Sequence, residues 1–450
     1  MVRVTDMTHG RPIRLILLFS LPLMLGSVFQ QLYTIVDTII IGRGVGMQAL
    51  ASIGAADWIN WLVLWGLQGF TQGFAILVAQ EFGAGAYDRL RRVLAMIVKL
   101  SCWFGIAVTI ISLLLVRPLL TLLHTDPAMF GGAQTYLYVQ FGGSLIIIAY
   151  NMAAAVLRCL GDSRTPLFAI IAASFANIAL DLLFVMGLGW GIFGASFATV
   201  LAQLIAFLLC LRSLRRLPFV QLTKADWKTD PAILLHLCRL GIPTGLQMSM
   251  ITLGGMVLQS VLNGFGVVFV AGYTAANKLY GILESASVAF GYAMTAYMGQ
   301  NRGARNAARI DAGIRAVLVL SAEFTAAIVT AMLLAGKPLL GLFLSTEEAG
   351  AADALAVAHR YLMVLMAFLF ALFVLQAYRS SLQGLGEMTV PTLSGFAEML
   401  MRMGAALVLP VFIGKSGVFF AEGAAWVCAA ALNLVWYYIR IGKIKREMLK

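Results

Sequence analysis

Long apolar runs broken by short polar segments recur from one end of the chain to the other. About 20 mostly apolar residues cross the roughly 30 Å hydrocarbon core of a bilayer. On that measure twelve spans are predicted. Six lie near 15–41, 53–79, 93–116, 134–157, 167–187 and 193–211, and six near 240–263, 269–298, 316–334, 361–382, 392–412 and 418–439. At this length only a helix satisfies its own backbone polar groups, so the predicted fold is an all-α integral membrane protein.

The punctuation repeats in order. Pro22 in "SLPLMLG" answers Pro243 in "GIPTGLQ", and Gln80 in "AQEFGAG" answers Gln300 in "GQNRGAR". "RPLL" at 117–120 answers "KPLL" at 337–340, and "LGDSRTP" ending at Pro166 answers "LGEMTVP" ending at Pro391. The offsets are 221, 220, 220 and 225. Ordered Pro, Gly and Gln markers of this kind point to duplication. Each repeat has an even number of spans, so both halves face the same way, related by a pseudo-two-fold axis along the membrane normal. The expected organisation is an N-lobe at 1–211, a linker at 212–236 and a C-lobe at 237–450, two six-helix lobes around a central cavity. Such lobes suit alternating access.

Composition strengthens this reading. Of 450 residues 61% are hydrophobic and 12% charged, against roughly 25% charged in soluble domains. The first run, Ile13 to Ile41, is too long for a signal h-region and reads as a retained helix. The net charge of +12 sits in the connections between spans, where it meets anionic headgroups rather than nucleic acid. With the N-terminus inside, 23 of the 32 Lys and Arg fall in cytoplasmic segments, against five outside: Arg43, Arg117, Lys337, Arg360 and Lys415. That asymmetry predicts cytoplasmic termini and a multi-pass protein of the cell membrane. The five cysteines and four histidines form no cluster with metal-ligand spacing, so no metal, cofactor or enzymatic activity is expected. "GKS" at 414–416 lacks the upstream glycine of a P-loop, since Leu409 stands there.

Carboxylates inside spans are costly, by about 3 kcal/mol each, and mark function. Asp37 in "YTIVDTIIIG" and Asp181 in "ANIALDLLFV" are the clearest, with Asn177 one turn before Asp181 and Thr199 in the sixth span. Each of Asp37, Asp181 and Thr199 lies six residues, roughly 9 Å, from the predicted outer boundary. Hard oxygen donors at one depth suit a sodium ion or an exchangeable proton; the alternative is a polar network that only ties helices together. In the second half, Glu284 either attracts a cationic substrate or is partly neutralised by Lys278. Glu398 and Arg402, four residues apart, read as an ion pair, and Glu422 as a residue reaching the interface. Gln30, Tyr33, Gln259 and Glu284 are the candidate lining of a substrate cavity, with the 21 methionines and many aromatics suited to flat hydrophobic cations.

These segments resemble the multidrug and toxic compound extrusion (MATE) family. The resemblance runs end to end and rests on "FQQLYTIVDTIIIGRGVG" at 29–46, "LGDSRTP" at 160–166, "GWGIFGASFATVLAQ" at 189–203, "GIPTGLQMS" at 241–249 and "MGQNRGA" at 298–304. It implies two six-helix lobes and export of small organic, cationic, amphipathic compounds in exchange for H+ or Na+, by a monomer. It is closer to DinF-like and MepA-like members than to NorM-like ones. Their cation site on spans 1, 5 and 6 corresponds to Asp37, Asn177, Asp181 and Thr199, and their bending proline in span 1 to Pro22. The acids of spans 7 and 10 in the NorM-like pattern have no counterpart here. A lipid-linked sugar flippase of the same wider superfamily is the alternative function.

Overall fold

Residues 4–343 and 350–449 are described in the structure, a computed structural model. The described residues form thirteen α-helices: α1 (Pro12–Gly44), α2 (Met47–Gly83), α3 (Tyr87–Leu122), α4 (Pro127–Gly142), α5 (Ser144–Cys159), α6 (Arg164–Asp181), α7 (Gly191–Arg215), α8 (Pro231–Asn263), α9 (Val267–Gly303), α10 (Ala307–Gly341), α11 (Ala351–Gly384), α12 (Thr389–Ile413) and α13 (Phe420–Leu449). Among the described residues ten helical segments are long and apolar enough to span a membrane, and α4 with α5 makes an eleventh, bent by 50°. The twelfth predicted span is α9, a helix of 37 residues diluted by Asn277, Lys278 and Glu284. The protein is an all-α, multi-pass membrane protein with twelve transmembrane helices.

The duplication is visible in backbone geometry. α1 and α8 each have 33 residues, and α2 and α9 each have 37. Gly46 before α2 and Gly266 before α9 have φ of 108° and 96°. The two LG-acid motifs build the same corner: Gly161 (φ 90°) and Gly386 (φ 71°) take left-handed conformations that end a helix. The following acid then caps the next helix. Asp162 Oδ1 accepts from the amides of Arg164 and Thr165 at 3.0 Å each, and Glu387 Oε1 accepts from the Thr389 amide at 3.4 Å.

The helices group into two compact units that do not end where the repeats end. One comprises Met1–Asp6 and Pro22–Gly245, the other Met7–Leu21 and Leu246–Lys450. The first turns of α1 therefore pack with the second unit, and the first half of α8 with the first. The chain changes unit at Pro22 in α1 and two residues past Pro243 in α8.

In the first unit α2 and α8 meet through small residues spaced four apart. A Cβ on Gly69 would lie 2.6 Å from Thr244 O, and one on Gly73 2.5 Å from Leu240 O. Such close backbone approach replaces the hydrophobic drive that lipid does not supply. The linker docks on the same unit. Lys99 Nζ donates to Trp227 O at 2.6 Å and to Thr229 Oγ1 at 2.8 Å. Asp226 accepts from the Thr223 amide and hydroxyl at 2.8 Å each.

In the second unit residues 7–10 are pinned by the end of α9 and start of α10. The Met7 amide donates to Gln300 Oε1 at 2.8 Å. Arg309 donates to the carbonyls of Met7 and Gly10 at 2.9 Å each, and Ser20 donates to Ala289 O at 3.3 Å.

Candidate functional site

Three helices of the first unit place the predicted oxygen donors. Asn177 and Asp181 occupy successive turns of α6 and point inward, 1% and 0% exposed. A π-helical turn, Leu182–Gly187, follows directly. Such wide turns recur at functional sites because they reposition the residues beside them. Gly44 at the end of α1 packs on this turn: a Cβ there would come within 2.8 Å of both Met186 Sδ and Val185 Cγ1.

Asp37 on α1 and Asp181 on α6 lie within electrostatic reach of one another. Neither is neutralised by an Arg or Lys among the described residues. Asp37 Oδ1, both Asp181 oxygens and both Asn177 amide atoms are buried without a hydrogen-bond partner of normal geometry among the described residues. Two adjacent acids buried in this way cannot both stay charged at acceptable cost unless a cation lies between them. The arrangement can hold one positive charge, either as a shared proton or as a small ion ligated by oxygen.

Thr199 is half-buried on α7, and its hydroxyl donates to Ala195 O at 3.2 Å. Thus the structure joins Asp37, Asp181 and Asn177, while the Thr199 hydroxyl is engaged with its own helix. Tyr33, expected in a substrate cavity, lies one turn before Asp37 within electrostatic reach of both acids. Gln30 is exposed on α1, and Gln259 on α8 donates to Asn263 Oδ1 at 2.9 Å. Pro22 lies inside α1 at the change of unit.

A third acid escaped the sequence reading. Asp57 on α2 lies beside Tyr136 on α4, within electrostatic reach of Asp37. Asn60 Nδ2 donates to the Tyr136 hydroxyl oxygen at 3.1 Å. The signal was present: "AADWIN" puts a carboxylate ten residues into an apolar helix that begins at Met47.

The second unit departs further from expectation. Glu398 and Arg402 do pair, at 3.1 Å, but within a longer chain. Arg379 is buried on α11 and pairs with the other Glu398 oxygen. Glu422, expected to reach the interface, instead accepts from Arg402 at 2.8 Å. Lys278 is exposed and makes no ion pair with Glu284 among the described residues.

A bundle of twelve spans with uncompensated acids buried in its first half is the architecture of a membrane transporter rather than an enzyme. The MatE family model matches residues 22–183 and 243–408, and the chain belongs to this family of transporters. It is 31% identical to the probable multidrug resistance protein YpnP of Bacillus subtilis, over 100% of this chain and 99% of that one. It is 26% identical to the probable multidrug resistance protein YoeA of the same organism, over 96% and 94%. Among solved structures, an outward-facing multidrug resistance MATE family transporter of the MOP superfamily superposes with a TM-score of 0.90 over 99% of both chains, at 24% identity.

Proposed function

We propose that the protein is a secondary active multidrug exporter, which expels small amphipathic organic cations in exchange for protons or sodium ions. The relatives' names support multidrug efflux. The observation that carries the coupling mechanism is the Asp37–Asp181 pair, with Asn177 beside it and no cationic side chain among the described residues to neutralise it. Binding of the coupling cation removes the repulsion between the two acids. Its release restores that repulsion, which gives α1 and α6 two arrangements of different energy. The repeats 1–211 and 237–450, joined by 212–236, move in alternating access, with Pro22 as the point where α1 yields. Thr199 completes the cation shell when its hydroxyl turns from Ala195, and Gln30, Tyr33, Gln259 and Glu284 meet the substrate. The excess of Lys and Arg on one side orients both termini to the cytoplasm of the cell membrane, and the protein works as a monomer.

The test is uphill dye efflux from vesicles holding the purified protein. A pH or sodium gradient drives accumulation against the dye gradient, and an ionophore that collapses the active gradient stops it. Dye movement that ignores both gradients contradicts the proposal.

A further inference from the structure

Where α9 turns into α10, the second unit carries more positive charge than its acids balance. Glu387 is held by Arg440, whose Nε and Nη2 donate to its Oε2 at 3.0 and 2.9 Å. Asp311 pairs with Lys445, and Arg309 is committed to the carbonyls of Met7 and Gly10. Among the described residues no acid pairs with Arg302, Arg305, Lys443 or Arg446. Two acids lie within electrostatic reach of Arg302, Glu447 and Glu387, and Glu387 is already taken.

A cavity of about 180 Å³ opens at this corner, lined by Arg302, Gly303, Arg305, Ile444, Glu447 and Met448. One water takes roughly 30 Å³, so a phosphate group has room. Ile444 and Met448 are buried in the last turns of α13 and give the cavity an apolar wall. Arg305 sits at φ 55°. It answers Gly85 of the first repeat, 220 residues earlier, which has φ 67°. Glycine takes that conformation freely, whereas a larger residue is strained in it. The second repeat therefore holds a guanidinium at the cavity against the preference of its own backbone, and such strain collects where ligands are gripped.

α13 sets the depth of the cavity. Val435, Tyr438 and Ile439 are more than half exposed, an apolar and aromatic band suited to lipid and its interface. Ile444 follows Ile439 by five residues, roughly 7.5 Å of helix, among Lys443, Lys445 and Arg446. Basic pockets at this level meet lipid headgroups, and the guanidinium fork matches phosphate oxygens in pairs. We propose that this cavity binds the headgroup of an anionic phospholipid, with its phosphate on Arg302 and Arg305 and its glycerol end against Ile444 and Met448. Glu447, the one carboxylate in the lining, is exposed and turns to water as the phosphate enters.

The assignment does not use the efflux reading, and its assay needs no transport. Thermal unfolding of the purified full-length protein in neutral detergent is followed against added dihexanoyl phosphatidylglycerol. Dihexanoyl phosphatidylcholine and inorganic phosphate, at equal ionic strength, are the comparisons. Phosphatidylglycerol should raise the midpoint saturably, and the other two much less. Arg302→Gln should increase the half-saturating concentration about tenfold, the loss of one charge-assisted contact. Arg305→Gly should do the same while raising the lipid-free midpoint, because it relieves the strained backbone; poor folding cannot then account for its weaker binding. Glu447→Gln should lower the half-saturating concentration. Arg117→Gln removes an exposed charge from the first unit and should leave it unchanged. A half-saturating concentration unmoved by Arg302→Gln and Arg305→Gly, or moved equally by Arg117→Gln, overturns the proposal. A full shift with inorganic phosphate overturns it too, by making the cavity a site for the free anion.

Discussion

Gly161 shows how a single position can hold a corner. It sits at φ 90°, a conformation that costs a side-chain-bearing residue about 1–2 kcal/mol. A Cβ there would also lie 2.1 Å from Thr5 O. Gly161→Ala is therefore expected to lower the thermal midpoint by several degrees, whereas Ala at Gly85, where a Cβ meets nothing within 4 Å, should cost only its backbone strain. Thermal unfolding in detergent checks the pair, and equal shifts would show that the contact with Thr5 is irrelevant. Asp57 leads to a functional prediction. It lies within electrostatic reach of Asp37 and beside Tyr136, so Asp57→Asn should preserve insertion but change the pH profile of efflux. A profile superimposable on that of the unaltered protein would relegate Asp57 to packing. Asp37, Asn177 and Asp181 were legible because a polar residue in an apolar run is a local anomaly. Asp57 obeys the same rule, but it lies only four residues inside the predicted start at 53, where polar residues are ordinary. The helix in fact begins at Met47. The Arg379–Glu398–Arg402–Glu422 chain was harder still. Only the i, i+4 pair leaves a trace along the sequence, and the rest depends on three helices meeting in space.

At the scale of elements, the α2–α8 crossing depends on missing side chains. Gly73→Leu must push Leu240 O and Gly241 Cα away, since even a Cβ would lie 2.5–2.6 Å from them. Overpacking of this kind costs about 1–3 kcal/mol. Thermal unfolding should show the loss, and a near-normal midpoint would mean that the helices separate freely. Pro22 acts differently. It removes a backbone donor within α1, at the residue where the helix changes unit. Pro22→Ala restores that donor and stiffens the passage, so substrate affinity should stay near normal while turnover falls several-fold. Unchanged turnover would make the proline a static feature. The exchange of helix ends between units was not legible in hydropathy, because lipid-facing and protein-facing turns are almost equally apolar. The prolines marked the place without revealing the partner.

For the whole molecule, the duplication and the span count followed from sequence, since both rest on length and order rather than on contacts. The linker offers a pH-dependent check outside the spans. Burial pushes the Asp226 carboxyl up, but hydrogen bonds from Thr223 and the charges of Arg91 and Arg92 outweigh it and hold the group below its usual range. A lowered carboxyl stabilises the folded form above the unfolded value, near 3.9, and that contribution disappears as pH falls through the folded value. Amide exchange in 223–229 should therefore quicken relative to the spans only in acid, and Asp226→Asn should abolish the difference. The central claim is that the buried acid pair couples a cation gradient to export, and it is tested most directly in reconstituted vesicles. Uphill dye efflux is measured under separate pH and sodium gradients for the unaltered protein, Asp37→Asn and Asp181→Asn. The account predicts uphill efflux only in the unaltered protein, with inserted, dye-binding protein in all three. Gradient-driven efflux at normal rates in both variants would contradict it.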